Sequence, residues 1–216
     1  MNEEQKAVQN HKGKLIAFEG IDGSGKSTQI RLLAERLKRE GISCQVTMEP
    51  TGSPIGSLIR QILTGRLKAD NRVMAALFVA DRLDHLINED NGIVPVIESG
   101  THVITDRYYF SSYAYQSSDL PLDWLIQANE PGRKILSPAV TVFIDVDPDT
   151  AMDRITRGRE HTELFEKRSR LEQVREKYLE AFEKLKDVER VIMIDGSRCE
   201  EAVAEEIWEK LAGIWK

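Results

Sequence analysis

Gly20-Ile21-Asp22-Gly23-Ser24-Gly25-Lys26-Ser27, followed by Thr28, places a glycine, four residues, Gly-Lys and a hydroxyl in the order of a phosphate-binding loop. Glycines let the backbone turn tightly, so that successive N–H groups converge on an anion. Lys26 adds a positive charge, and the Ser27 hydroxyl can hold Mg²⁺. The stretch therefore reads as a phosphate-binding site. Asp106-Arg107 is a second candidate. An aspartate beside a phosphate loop orders Mg²⁺ or its water shell. Asp145 is the alternative for that role, and either aspartate could instead cap a helix. Arg107 would be costly to bury without an anion, and a substrate phosphate would be a bidentate one. The plainer reading is an Arg–Asp pair. Asp22 would repel a triphosphate, so it makes more sense facing a second site. Arg154, Arg157 and Arg159 lie near the end of a predicted helix. On a mobile segment they could close over a transferring phosphoryl group, or they could be a solvated charged face.

These residues need a frame. Lys14–Phe18 is apolar enough for a buried strand entering the loop, and Ser27 to about Arg39 has helical spacing. Further strands are predicted at 43–48, 102–106, 140–145 and 191–195. Helices are predicted at 55–63, 71–88, 94–99, 109–130 in two pieces divided around Pro121, 148–157, 165–186 and 199–214. Within 71–88, Val73, Leu77, Ala80, Leu83 and Ile87 recur in register and read as core or as an interface. Apolar strands alternating with helices imply an α/β fold, with a five-stranded parallel sheet covered on both faces. Ligands on such sheets bind at the carboxyl ends of the strands. The phosphate loop, Glu49-Pro50, Asp106-Arg107 and Asp145 each follow a strand, so they should gather along one edge.

The length of 216 residues suits one domain over residues 13–216, after a flexible tail at 1–12. A net charge of −6 argues against sequence-independent nucleic-acid binding, which needs a basic face. No apolar run approaches the roughly 20 residues that span a membrane. Cys44 and Cys199 have neither metal nor redox spacing and read as reduced thiols of a cytoplasmic protein. A guanine-reading Asn-Lys-x-Asp segment is absent from the sequence, which argues against a GTP-binding switch.

The phosphate loop, Asp-Arg-Tyr and the arginine-rich segment, in this order, resemble a nucleoside monophosphate kinase, and within that group the thymidylate kinases. The resemblance covers roughly residues 14 to 215. Its most specific pieces are Phe-Glu-Gly-Ile-Asp-Gly-Ser-Gly-Lys-Ser-Thr-Gln (18–29), Leu-Phe-Val-Ala-Asp-Arg (77–82) and Asp-Arg-Tyr-Tyr-Phe-Ser-Ser-Tyr-Ala-Tyr-Gln (106–116). It implies the P-loop kinase fold, transfer of phosphate from ATP to dTMP with Mg²⁺, a mobile lid over about 154–166, and a homodimer. Gly20 to Thr28 would hold the ATP phosphates, and Ser27 and Asp106 the metal. Phe78 would stack on thymine and Arg82 would donate to a thymine carbonyl. From the residues alone, Phe78 reads as core and Arg82 as surface. Arg107 would bind the acceptor phosphate, and Asp22 would lie near the acceptor sugar and phosphate. Glu49 and Pro50 belong to the acceptor loop. Ser112 would face the base, Tyr115 would lie against the sugar, and Gln116 matches the bacterial form of the motif.

The sequence departs from the family in two places. One branch carries a catalytic arginine inside the phosphate loop, where this chain has Gly23 and Ser24, so the arginine should come from Arg154, Arg157 or Arg159 of the lid. Many bacterial members read Arg-Glu-Pro after the second strand, and this chain reads Met48-Glu49-Pro50. The rivals are another nucleoside or nucleotide kinase of the same fold and an inactive nucleotide-binding module.

Overall fold

The structure, a computed structural model, describes residues 13–156 and 162–215, with the side chains of 156–167 outside that description. Arg157, Arg159 and the 1–12 tail therefore lie outside the described residues, as do most of the lid side chains. The strands are β1 (Leu15–Glu19), β2 (Cys44–Met48), β3 (His102–Asp106), β4 (Val140–Asp145) and β5 (Val191–Asp195). The helices, in chain order, are α1 (Lys26–Arg39), α2 (Pro54–Leu63), α3 (Asn71–Ile87), α4 (Ile93–Glu98), α5 (Tyr109–Gln116), α6 (Leu122–Ile135), α7 (Pro148–Thr156), α8 (Thr162–Leu185) and α9 (Glu200–Leu211).

All strand pairings are parallel, in the order β2-β3-β1-β4-β5. β1 is central and buried along its whole length, which is why its sequence is an apolar run rather than an alternation. Successive side chains of β1 point to opposite faces. Ile16 and Phe18 join the layer under α1 and α9. Leu15 and Ala17 join Tyr109, Tyr113, Tyr178 and Phe182 on the other. By the same alternation Glu19 lies on the face of α5 and α8, and this places a carboxylate under the site. Because β3 and β4 flank β1 on its two sides, the chain changes direction across the sheet there, and a crevice opens at the strand ends.

Two elements depart from expectation. α6 does not stop near 130 but runs through Pro131 to Ile135. Gly132 is buried against Leu86 and the stem of Arg82, so packing on α3 holds the helix despite the missing N–H. On α3 the buried residues are Ala75, Asp81, Arg82, His85 and Leu86. The apolar series does not form the core: Val73 and Ile87 are 49% and 56% exposed. The helix buries a polar side because that side builds a hydrogen-bonded network with the loop after β2.

Candidate active site

The phosphate loop joins β1 to α1. Gly25 caps α1 with φ of 97°, and Gly23 has φ of 81°. A Cβ on Gly23 would stand 2.5 Å from the Ala151 carbonyl oxygen, so the loop's close approach to α7 requires glycine there. Lys26 is buried and its Nζ donates to the carbonyls of Gly20 and Ile21, both at 2.9 Å. Burial, and next the Arg107 guanidinium, bring its amine down to about 7 against the opposing pull of Asp106, Asp22 and Glu19. An anion beside it would favour the charged form.

Ser27 Oγ donates to Asp106 Oδ2 at 2.9 Å. Asp106 Oδ1 is buried and accepts no hydrogen bond from the described residues. A hydroxyl beside a carboxylate with an unused oxygen fits a hard, oxygen-seeking cation such as Mg²⁺. Asp145, the alternative, has both oxygens engaged by Arg175, at 2.6 and 2.7 Å. Arg154 lies across the phosphate loop, donating to Ser24 O at 3.3 Å and to Gly196 O at 2.8 Å.

Arg107 follows β3 with φ of 72°, a left-handed conformation uncommon outside glycine. Its N–H donates to Phe18 O at 2.9 Å, and its carbonyl accepts from Thr105 Oγ1 at 2.8 Å. The side chain does not pair with Asp106. It bonds Asp22 directly, and also Ser111 Oγ at 3.0 Å and Tyr115 Oη at 3.1 Å. Asp22 thus faces Arg107 and the cleft.

Arg82 is 2% exposed, which corrects the surface reading that its residue type suggests. Its Nε and Nη2 donate to Glu49 Oε2 at 2.9 and 2.5 Å, and its Nη1 donates to Asn129 Oδ1. Both Nη atoms also reach Ser112 Oγ, at 3.2 and 3.3 Å. Glu49 Oε1 meets His85 Nδ1 at 3.2 Å, and His85 Nε2 meets Thr47 Oγ1 at 2.7 Å. The loop after Glu49 hangs on buried Asp81, which accepts from Thr51 N, Thr51 Oγ1 and Ser53 Oγ. Glu49-Pro50 is cis. Met48 is 60% exposed, and besides Arg82 at Glu49 an arginine of α2 reaches this loop: Arg60 donates to Pro50 O and Thr51 O.

One cleft of about 570 Å³ takes in the Arg107 and Arg82 side of this arrangement; of the phosphate loop it reaches Asp22, while Lys26, Ser27, Asp106 and Arg154 stand outside its lining. Asp22, Glu49, Pro50, Phe78, Arg82, Arg107, Ser112, Tyr115 and Gln116 all line it, together with Met74, Met152 and Arg170. Phe78 is half-buried at its wall rather than in the core. Glu19, Asp81, Asn129 and Tyr178 are buried supports: Glu19 and Asp81 stand inside the motifs at 18–29 and 77–82 but receive no role from them, and Asn129 and Tyr178 lie outside the motifs. A carboxylate closing an otherwise apolar strand was the available signal for Glu19. Asn129 and Tyr178 have none, because their partners are distant in sequence.

A family model described as thymidylate kinase matches residues 18–207. The chain belongs to the thymidylate kinase family. It is 42% identical over 178 residues to a probable thymidylate kinase of Thermococcus kodakarensis, covering 78% of this chain and 83% of that one. It is 40% identical over 194 residues to a thymidylate kinase of Caldanaerobacter subterraneus, covering 86% and 88%. A probable thymidylate kinase of Methanocaldococcus jannaschii is 36% identical over 204 residues, covering 93% and 95%. As a member of the thymidylate kinase family the chain is an ATP-dependent phosphotransferase. Its five-stranded parallel sheet with surrounding helices fits that family. No helix among the described residues is long and apolar enough to cross a membrane.

Proposed function

We propose that the chain transfers the terminal phosphoryl group of ATP to dTMP, giving ADP and dTDP, within a single domain over residues 13–216. The observation that carries the reading is the cleft. Asp22 of the phosphate loop pairs with Arg107, and both line the cleft that continues to Phe78 and Arg82, so a phosphate donor on the loop would adjoin an acceptor seated in the cleft.

No protein nucleophile is required, because an acceptor phosphate oxygen attacks the γ-phosphorus directly. The protein's task is to align the two nucleotides and to neutralise developing charge. The backbone N–H groups of 20–28 and Lys26 hold the ATP phosphates. Arg107 holds the acceptor phosphate through its donor-rich edge. Arg82 and Ser112, hydrogen-bonded to each other and both lining the cleft, would meet the thymine there, Arg82 exchanging a Ser112 contact for a thymine carbonyl, and Phe78 would stack on the ring. Gln116 and Tyr115 flank base and sugar. Arg154, already over the loop, supplies charge toward the transferring group, and Arg157 and Arg159 are the other lid candidates. Ser27 and Asp106 would hold Mg²⁺, which when bound neutralises phosphate charge. Lid closure excludes water. Exposed Val73 and Ile87, with half-buried Leu77, Ala80 and Leu83 between them, support a homodimer through α3, and ATP with free thiols at Cys44 and Cys199 suits the cytoplasm.

The test is ADP release from ATP and Mg²⁺ with dTMP, dUMP, dCMP, CMP, UMP or AMP. Preferential turnover of dTMP is expected. Preference for another monophosphate would overturn the roles given to Phe78, Arg82 and Tyr115.

A further inference from the structure

Beneath Arg107 lies a buried cluster that the proposed reaction does not use directly. Glu19 is fully buried at the end of β1. Its Oε1 accepts from the backbone N–H groups of Tyr108 and Ser111, at 2.8 and 3.2 Å. Its Oε2 accepts from Ser111 Oγ at 2.6 Å and from Tyr178 Oη at 2.9 Å. The two hydroxyls also stand 2.8 Å apart, and Arg107 Nη1 reaches both, at 3.0 Å (Ser111) and 3.4 Å (Tyr178).

The protons can be counted. Each hydroxyl has one, and a carboxylate is the strongest acceptor within reach, so both point to Glu19 Oε2. That leaves the lone pairs of both oxygens facing Arg107, one for each hydrogen of Nη1. On the other terminal nitrogen, Nη2, the two hydrogens go to Asp22 and to Tyr115 Oη. Arg107 Nε donates to none of the described residues. The guanidinium is therefore clamped on the Nη1 side by deeply buried groups. Its Nη2–Nε side meets Asp22, whose side chain is 58% exposed. That is the edge from which an incoming phosphate would displace a carboxylate.

We propose that Glu19, Ser111 and Tyr178 are positioning residues: Glu19 orients the two hydroxyls as acceptors, and these fix the rotation of Arg107 so that its Nη2–Nε edge faces the acceptor phosphate. Tyr178 lies on α8, which follows the lid segment, so the clamp also ties that helix to the acceptor arginine. Burial holds the Glu19 carboxyl above the usual carboxylate range, and the hydrogen bonds from Ser111 and Tyr178 and the Arg107 charge oppose that rise. The inference rests on the proposed role of Arg107.

The test compares steady-state constants for dTMP and ATP in the full-length chain and in Tyr178→Phe, Glu19→Gln and Arg107→Ala. Tyr178→Phe removes one acceptor at unchanged shape and should raise the dTMP KM roughly 10-fold, with the ATP KM within about 2-fold. Glu19→Gln is the sharper variant. Its amide oxygen must face the two backbone N–H groups, so its NH₂ faces the hydroxyls and turns their protons toward Arg107. The rise in dTMP KM should then be at least as large as in Tyr178→Phe, although size and shape are kept. A dTMP KM unchanged in folded Tyr178→Phe, with Arg107→Ala strongly impaired, overturns the clamp and leaves the function intact. Equal rises for both substrates overturn it too, since they mark a general structural role. An Arg107→Ala variant with normal dTMP constants instead removes the reading on which the clamp rests. If Glu19→Gln does not fold, Tyr178→Phe decides alone.

Discussion

The Glu49–Arg82 pair is buried on both sides, with each side chain 2% exposed. Glu49 Oε2 accepts twice from Arg82, while the remaining Arg82 partners, Ser112 and Asn129, are neutral. Glu49→Leu would leave a guanidinium in the interior with no carboxylate in contact. Breaking such a pair from one side costs about 3–5 kcal/mol. For a chain of this length each kcal/mol moves the melting temperature by ~2–4 °C, so a fall of roughly 6–20 °C is expected. Arg82→Met strands Glu49 in the same way, with His85 left to it as a side-chain partner among the described residues. The double variant Glu49→Leu/Arg82→Met removes both charges, and it should be more stable than either single variant by at least ~2 kcal/mol. Urea unfolding at neutral pH measures all four corners of the cycle. Single variants within ~1 kcal/mol of the parent, or a double variant whose loss is the sum of the two, would refute the assignment of a desolvated, mutually dependent pair. Arg82→Met should also weaken dTMP far more than ATP, and equal losses would sink its role at the base.

Three further predictions follow from other parts of the molecule. Lys26→Ala should lower turnover by roughly two to four orders of magnitude while circular dichroism stays unchanged; near-normal turnover in the folded variant would contradict the phosphate-loop assignment. His102 accepts from the Lys14 N–H through Nδ1, and burial, then the Lys14 charge, hold its imidazole below the ordinary 6.5. As pH falls, the unfolded chain takes the proton first. The stability difference between the parent and His102→Gln should therefore be constant above about 6.5 and shrink below it, and a difference independent of pH from 5 to 8 would count against this. Val73→Asp with Ile87→Asp should turn a dimer into a monomer by sedimentation, whereas a parent that sediments as a monomer would end the dimer proposal.

Much of the frame was legible because its signals are local. β1 and β4 are largely apolar runs, and the glycine spacing of 20–27 dictates a loop between strand and helix. Order along the chain then places Glu49, Asp106 and Arg107 at one edge of a parallel sheet. The supports were not legible, because they are set by contacts between distant segments. Asp81, Arg82 and His85 occupy the buried side of α3 while apolar Val73 and Ile87 face outward, the reverse of what helical periodicity suggests. A charged residue becomes interior only when its partner is also there, and Glu49 lies 33 positions away. Tyr178 meets Glu19 across 159 positions. The loop after β2 looked deprived of an arginine at Met48, yet Arg60 reaches it from the next helix.

The most direct test supplies the folded chain with ATP labelled at the γ-phosphate, Mg²⁺ and dTMP, and separates the nucleotides. Passage of the group straight from one nucleotide to the other predicts label in dTDP, in step with ADP formed, and little in inorganic phosphate. Label accumulating as inorganic phosphate, or ATP bound without any transfer, would contradict a site built to pass the group between two nucleotides.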